Sequence, residues 1–101
     1  MLFLYYKRMK FEYDKNKSLK NKLKHGISLE EAKQLWYAPS VEIMAKTIDE
    51  PRFMLIGQIN KKFYSCIFTN RDEAIRLISA RRSRKAEEEI YYETVTKAQK
   101  H

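Results

Sequence analysis

Closely spaced strand patterns in the second half of the chain constrain its fold more than any other feature. Apolar and β-branched residues form four short runs, at residues 41–46, 52–59, 63–69 and 75–79. The last three runs are separated only by short polar connections of hairpin length, Asn60-Lys61-Lys62 and Asn70-Arg71-Asp72-Glu73. Consecutive strands joined in this way pair antiparallel, so the sequence predicts a four-stranded antiparallel meander.

A short strand and a basic helix are predicted before the meander. Residues 10–13 alternate between polar and apolar side chains, as the residues of a strand do. Asp14 is then placed to cap a helix that runs to about Lys24. Gly26 stands at the usual exit position of such a helix, so we expect the helix to end there.

Two further helices complete the predicted fold. Ser28, followed three residues later by Glu31, forms a capping box that begins a second helix ending near residues 38–39. The last helix spans roughly residues 83–98 and presents apolar positions on one face. The resulting order, β-α-α-β-β-β-β-α, predicts an α+β fold in which helices pack against one face of an antiparallel sheet.

Length and cysteine content suggest a small cytoplasmic protein. The 101 residues suit one domain, which we assign to residues 9–101 after a leader of residues 1–8, with Met9 a candidate for the biological start. The apolar run of the leader is too short for a membrane span, and its charges follow that run instead of preceding it as in a signal peptide. Cys66 is the only cysteine, so no internal disulfide forms and a reducing compartment is expected. Its apolar surroundings predict a core residue and not a nucleophile.

The charge balance predicts a polyanionic partner. Twenty-one Lys and Arg residues against thirteen Asp and Glu residues give a net charge of +8. This excess favours either nucleic acid or an acidic protein as partner, unless the basic surface is merely solvated. Two histidines and one cysteine provide no zinc-ligand cluster, and two glycines exclude a glycine-rich phosphate loop. We therefore expect neither a metal ion nor a cofactor.

A cluster of cations where the last strand leads into the last helix is the strongest candidate for a site. Strand alternation predicts Ile75 and Leu77 on one face of the sheet, with Arg76 on the other. Arg81 and Arg82 follow, and neither has an acidic residue four positions downstream. Two arginines without local acidic partners near a helix N-terminus are typical of a phosphate site, and replacing one should cost little folding stability.

Short motifs that together span residues 9–93 carry a family resemblance. They are Phe11-Glu12-Tyr13-Asp14, Asn21, Lys24-His25-Gly26-Ile27-Ser28-Leu29-Glu30-Glu31-Ala32, Ile56-Gly57, Phe68-Thr69, Ile75-Arg76-Leu77-Ile78-Ser79-Ala80-Arg81-Arg82, and Glu87 with Tyr91. In this combination the chain resembles the BrnT toxins, the ribonuclease halves of bacterial BrnT–BrnA toxin–antitoxin pairs. The Lys-His-Gly segment and the Ile-Ser-Ala-Arg-Arg segment at this separation are the specific part of the resemblance.

The resemblance implies a RelE-like fold, endoribonuclease activity that arrests translation, and neutralisation by a BrnA antitoxin. It also implies that this antitoxin has a ribbon-helix-helix DNA-binding domain, through which alone the toxin reaches operator DNA. Two other functions remain open on the residues themselves. One is a non-catalytic module that binds nucleic acid through its arginines. The other is an interaction subunit whose basic face receives an acidic segment of the antitoxin.

A metal-independent ribonuclease would use the 2′-hydroxyl of RNA as nucleophile. It then needs a base, a cationic clamp for the phosphate and a proton for the leaving oxygen. Arginine stays protonated and serves only as clamp, and the candidates for this role are Arg76, Arg81 and Arg82. His25 has a suitable pKa for proton transfer, although a histidine at this position could instead bind helix carbonyls. Glu31 serves either as base or in the capping box.

Other candidates would contact neighbouring nucleotides. Lys24 and Arg71 are candidates for phosphate contacts, and Tyr91 and Tyr92 for base stacking or proton donation. The alternative for both tyrosines is packing in the core. For the clamp arginines, the alternative is decoration of the sheet or pairing with an acidic side chain elsewhere in the fold.

Overall fold

A computed structural model describes residues 9–45 and 49–99 of the chain. The predicted leader and Lys46, the predicted end of a strand, lie outside the described residues. One strand and two helical segments precede four consecutive strands, and a helix follows the last strand. Their bounds are β1 Lys10–Glu12, α1 Lys15–His25, α2 Leu29–Ala32 continued by a 3₁₀ helix Lys33–Tyr37, β2 Ser40–Ala45, β3 Arg52–Ile59, β4 Lys62–Arg71, β5 Ala74–Arg82 and α3 Lys85–Gln99.

The strands form one mixed sheet of five strands in the order β1-β5-β4-β3-β2. Strands β2 to β5 pair antiparallel with their sequence neighbours, while β1 pairs parallel with β5, Phe11 lying opposite Ile75. The predicted α+β class is therefore confirmed. The prediction of a purely antiparallel, four-stranded sheet was incomplete, because the long connection from β1 to β5 permits parallel pairing.

The predicted helix caps are present. The Asp14 carboxylate accepts a hydrogen bond from the Lys17 backbone N–H at 3.0 Å, and Gly26 ends α1 with a φ of 76°. Ser28 and Glu31 form both halves of the capping box. Local side-chain to backbone bonds of this kind depend on a few neighbouring residues, which is why the sequence predicts them well.

Helices pack on both faces of the sheet, which corrects the prediction that they occupy one face. Neighbouring residues of β3 show this, since Leu55 belongs to the core beneath α2 and the 3₁₀ helix, whereas Ile56 packs against α3. The first core also contains Leu29 and Leu35, and the second contains Tyr91. Helix α3 packs mainly against β2 and β3. Its N-terminal turn lies beside the end of β5, where Glu87 contacts Arg81.

A β-bulge in β5 decides which arginines share a face of the sheet. Ile67 pairs with Ser79, but the next residue of β4 pairs with Leu77, so Ile78 is the extra residue. As a result, Arg76 and Arg81 point to the α3 face although an odd number of positions separates them. Strand β5 also continues to Arg82, three residues past the predicted end at Ser79.

Candidate functional site

The end of β5, the start of β4 and the first turn of α3 meet at one end of the sheet. Arg81 lies opposite Ser65 in the β4–β5 ladder, and the backbone N–H of Ser83 continues the pairing by donating to the Phe63 carbonyl at 3.0 Å. The chain enters α3 only two residues later. The strand therefore delivers its last side chains directly beside the helix N-terminus.

A buried carboxylate organises this junction. Arg81 donates from Nη1 to Glu87 Oε1 at 2.9 Å and from Nη2 to Glu87 Oε2 at 2.7 Å. Glu87 Oε1 also accepts from the Ser65 hydroxyl at 2.8 Å and from the Arg84 backbone N–H at 2.9 Å. The hydroxyls of Ser65 and Ser83 are hydrogen-bonded at 2.8 Å. Glu87 therefore links β4, β5 and the first turn of α3.

These contacts keep Glu87 ionised. Burial by itself raises the pKa of the Glu87 carboxyl, but hydrogen bonds from Arg81, Arg84 and Ser65 outweigh it and lower the pKa to about 2. A carboxylate with such a pKa is a poor proton acceptor at neutral pH. Its role is to bind Arg81 and the backbone N–H of Arg84 at the start of the helix.

The expectation that Arg81 lacks an acidic partner was wrong. That expectation assumed helical spacing, in which residue 81 would meet residue 85. Arg81 instead lies on a strand, and the turn into α3 brings Glu87 back against it. The pair has little exposure, with 25% of the Arg81 side chain and 11% of the Glu87 side chain accessible. For Arg81, the alternative interpretation therefore holds, in which the arginine pairs with an acidic side chain elsewhere in the fold.

Arg82 has the predicted freedom from acidic partners. No carboxylate of the described residues pairs with it, and its guanidinium carbon lies 5.6 Å from the ring centroid of Tyr64. Tyr64 is opposite Arg82 in the ladder and packs against the core beneath α2. Arg82 therefore lies on the opposite face of the sheet from Arg81, at the same end.

Arg76 lies apart from the other two candidate clamp residues. It is about 15 Å from Arg81 along β5, at roughly 3.3 Å per strand residue. Its Nη1 lies 3.7 Å from Glu12 Oε1, a partly exposed ion pair with the neighbouring strand. The structure therefore separates Arg76 from the end of the sheet where Arg81 and Arg82 lie.

His25 lies on the Arg82 side of the sheet. It is the last residue of α1, and the imidazole makes no hydrogen bond or ion pair with any residue that the structure describes. The following residues, Gly26 and Ile27, line a 130 Å³ cavity together with Tyr64. His25 thus neighbours the cavity whose wall includes the ring beneath Arg82.

The other sequence-predicted contacts are scattered. Lys24 is exposed on α1, whereas Arg71 lies at the far end of β4, where its Nη2 is 3.5 Å from Glu50. Tyr91 is a buried core residue whose ring packs edge-on against Phe63. This agrees with the alternative prediction of core packing. Tyr92 is 54% exposed although its ring also packs edge-on against Phe63, and its role in base stacking stays a prediction.

Two residues with a structural part in the site had no assigned role in the sequence analysis. Glu87 is one, and Asn21 on α1 is the other. The Asn21 side-chain amide donates to the Ala80 carbonyl at 2.6 Å and accepts from the Ala80 N–H at 3.3 Å. Asn21 thereby holds α1 against the strand immediately before Arg81. The available signal was the place of Asn21 among the residues that carry the family resemblance, because the same lysine-rich helix also contains Asn16.

Three further observations concern the cysteine, metal ligands and membrane-spanning helices. Burial raises the pKa of the Cys66 thiol to about 12, which agrees with the prediction that it is a core residue and not a nucleophile. Across residues 9–45 and 49–99, no group of three or more His, Cys, Asp or Glu side chains could hold a metal ion. No helix within those ranges is long and apolar enough to cross a bilayer.

Comparison with protein families gives one match. A family model described as the ribonuclease toxin, BrnT, of type II toxin–antitoxin systems matches residues 13–87, about three quarters of the 101-residue chain. The matched range contains Asn21, His25, the arginines of β5 and Glu87. No curated protein matches this sequence.

Proposed function

Because the chain belongs to the BrnT family of ribonuclease toxins of type II toxin–antitoxin systems, we propose that it is a metal-independent endoribonuclease that cleaves RNA and arrests translation. The observation that carries the proposal is the pair of arginines at the end of β5. Arg81 is held by Glu87, and Arg82 has no acidic partner among the described residues. Both are available to a phosphate that lies across this end of the sheet.

The reaction requires a proton acceptor for the 2′-hydroxyl, a clamp for the charged phosphate and a proton for the leaving 5′-oxygen, which solvent water can supply. The 2′-hydroxyl of the RNA attacks the adjacent phosphorus, and the bond to the 5′-oxygen of the next nucleotide breaks, leaving a 2′,3′-cyclic phosphate. Arg81 and Arg82 stabilise the charge that builds on the phosphate oxygens, since a guanidinium stays protonated and donates in a fixed geometry. A preorganised donor of this kind contributes roughly 3–4 kcal/mol to the transition state.

His25 is the proposed proton acceptor for the 2′-hydroxyl. Its imidazole has no hydrogen-bond partner among the described residues, and imidazole is the side chain that most often transfers protons in catalysis. The nearby carboxylates suit this role less well. Hydrogen bonds from Lys22 and Ser28 lower the pKa of Glu31. The contacts around Glu87 lower the pKa of Glu87 to about 2.

The proposed partner is a cognate BrnA-like antitoxin with a ribbon-helix-helix domain, through which the complex would bind operator DNA. The net charge of +8 supports an antitoxin segment that is acidic or rich in hydrogen-bond acceptors. Such a segment would cover Arg81 and Arg82 and exclude RNA. The proposal also includes a RelE-like fold and a cytoplasmic location, both implied by the resemblance.

The test is cleavage of a labelled single-stranded RNA by the purified protein in EDTA, with and without added ribosomes. Cleavage is expected with the natural RNA and not with an RNA that carries 2′-deoxynucleotides throughout. Arg82→Ala is the variant to compare with the natural protein, because the Arg82 side chain is exposed and its loss should not unfold the protein. Salt-dependent binding of RNA without cleavage in either arm would instead establish a non-catalytic binding module.

A second experiment addresses the antitoxin. Expression of the chain in a bacterium should arrest growth, and co-expression of the protein encoded by the adjacent gene should relieve that arrest. Growth arrest that the neighbouring protein does not relieve would contradict the proposed toxin–antitoxin pairing.

A further inference from the structure

The hydrogen bonds of Arg81 leave one particular edge of its guanidinium unused. A guanidinium has five N–H groups. Nη1 donates to Glu87 Oε1 and to the Arg82 carbonyl, and Nη2 donates to Glu87 Oε2. The second N–H of Nη2 and the N–H of Nε have no acceptor among the described residues. These two groups lie side by side and point the same way, which is the geometry that grips two phosphate oxygens.

We propose that Glu87 is a positioning residue that presents the Nε–Nη2 edge of Arg81 to the phosphate of the RNA. The inference rests on the proposed function and adds to it a residue that does not itself touch the substrate. The end of the guanidinium formed by Nη1 and Nη2 is occupied by the carboxylate, so only the side edge remains for the ligand. The Arg81 side chain is 25% exposed, and because the carboxylate covers the Nη1–Nη2 end, we assign that exposure to the side edge.

Glu87 is held firmly enough to fix an orientation. Its carboxylate accepts from Ser65 on β4 and from the backbone of Arg84, in addition to both bonds from Arg81. The side chain is 11% exposed and lies in the first turn of α3. Its donors therefore come from β4, from β5 and from the backbone at the start of α3. An arginine bound to such a carboxylate loses its rotational freedom before the substrate arrives.

Removing the charge of Glu87 distinguishes two possible roles of Arg81, a fixed orientation toward the phosphate and simple attraction of RNA. A carboxylate at 2.7 Å weakens the positive field of Arg81, which opposes the binding of RNA. If Arg81 acted only by attracting RNA, removing the negative charge would improve binding and leave turnover unchanged or faster. If Glu87 fixes the orientation of the fork, the same change must slow the chemical step. The two accounts therefore predict opposite effects on kcat.

The test compares Glu87→Gln with Glu89→Gln by steady-state cleavage of RNA. At position 87, glutamine keeps one oxygen but places an NH₂ group against one N–H of Arg81, so the fork turns away. We expect kcat to fall about tenfold to a hundredfold while KM stays the same or falls. Glu89 is exposed on α3 and has no contact with Arg81 among the described residues, so Glu89→Gln removes the same charge and leaves the Arg81 pair intact. It should change kcat by no more than about twofold.

A binding measurement tests the inference independently of catalysis. The side-chain Nε–H signal of Arg81, assigned by its loss in Arg81→Lys, is followed by NMR while dimethyl phosphate is added. The signal should shift in the natural protein and in Glu89→Gln, and not in Glu87→Gln.

The outcomes distinguish the inference from the proposed function. Glu87→Gln that cleaves as fast as the natural protein, or an Arg81 Nε–H signal that ignores the phosphodiester, would overturn the positioning role whether or not RNA is cleaved. A natural protein that cleaves no RNA but shows the shift would contradict the proposed function and keep the anion-presenting role of Glu87.

Discussion

Replacing Arg81 by alanine should destabilise the fold as well as reduce activity. Burial raises the pKa of the Glu87 carboxyl, but hydrogen bonds, first among them those from Arg81, outweigh it and lower the pKa from an ordinary value of 4.5 to about 2. At about 1.4 kcal/mol per pKa unit, the folded state favours the ionised carboxylate by about 3 kcal/mol. Arg81→Ala removes the main partner and leaves the charge largely buried. We therefore expect the free energy of unfolding to fall by about 2–3 kcal/mol at neutral pH.

The effect should depend on pH with a definite sign. Because the folded-state pKa of Glu87 is lowered, its stabilising contribution is fully present above about 4.5 and is lost as the pH falls toward about 2. In Arg81→Ala the unpaired carboxylate is unfavourable, and protonation relieves it. The stability difference between the two proteins should thus be largest at neutral pH and shrink below about pH 4.5.

The assay is urea denaturation followed by circular dichroism at pH 7 and at pH 3.5, with Arg82→Ala as control. Among the residues that the structure describes, the Arg82 side chain contacts the Tyr64 ring and no carboxylate, so its replacement should cost about 0.5–1 kcal/mol. In thermal melts the Arg81→Ala change corresponds to roughly 10–20 °C. If Arg81→Ala is no less stable than Arg82→Ala at pH 7, or if the difference does not change with pH, the pair does not stabilise the fold as reasoned.

Three further outcomes are expected. Arg82→Ala should reduce RNA cleavage about a hundredfold with little loss of melting temperature, and Arg82→Lys should recover only part, because lysine lacks the two-pronged donor; a fully active alanine variant would remove Arg82 from the site. Cleavage should continue in EDTA, and activity that is lost in the chelator and restored by a divalent ion would contradict the metal-independent mechanism. The association rate with the cognate antitoxin, measured by stopped flow, should fall as salt rises, and a flat dependence would contradict recognition by charge.

Local features were predictable from the sequence, whereas long-range pairing was not. The caps at Asp14, Gly26 and Ser28 depend on residues within one helical turn, so the pattern of side chains was sufficient to identify them. The parallel pairing of β1 with β5 joins residues that are about sixty positions apart, and no local pattern encodes it. The same limit applied to the bulge at Ile78, which depends on how β4 and β5 align.

The contacts of the candidate site could be predicted only in part. No carboxylate within residues 9–45 and 49–99 pairs with Arg82, as its neighbours in the sequence indicated. The partner of Arg81 was missed because its spacing to Glu87 has meaning only once a strand, a turn and a helix are placed in sequence. Tyr91 and Tyr92 are adjacent, and only the orientation of α3 decides that the first is buried and the second exposed.

The bulge in β5 has a consequence for how related chains are compared. Residues on either side of Ile78 keep their partners on β4, with Arg76 opposite Thr69 and Arg81 opposite Ser65. Loss of Ile78 would restore a regular ladder without changing either pairing, so a chain one residue shorter here could display the same two arginines on the same face. Equivalent positions are therefore defined by the residue across the ladder and not by the interval between arginines. A gap placed at this point of an alignment would be structurally neutral, and a motif written with fixed spacing would overlook true members.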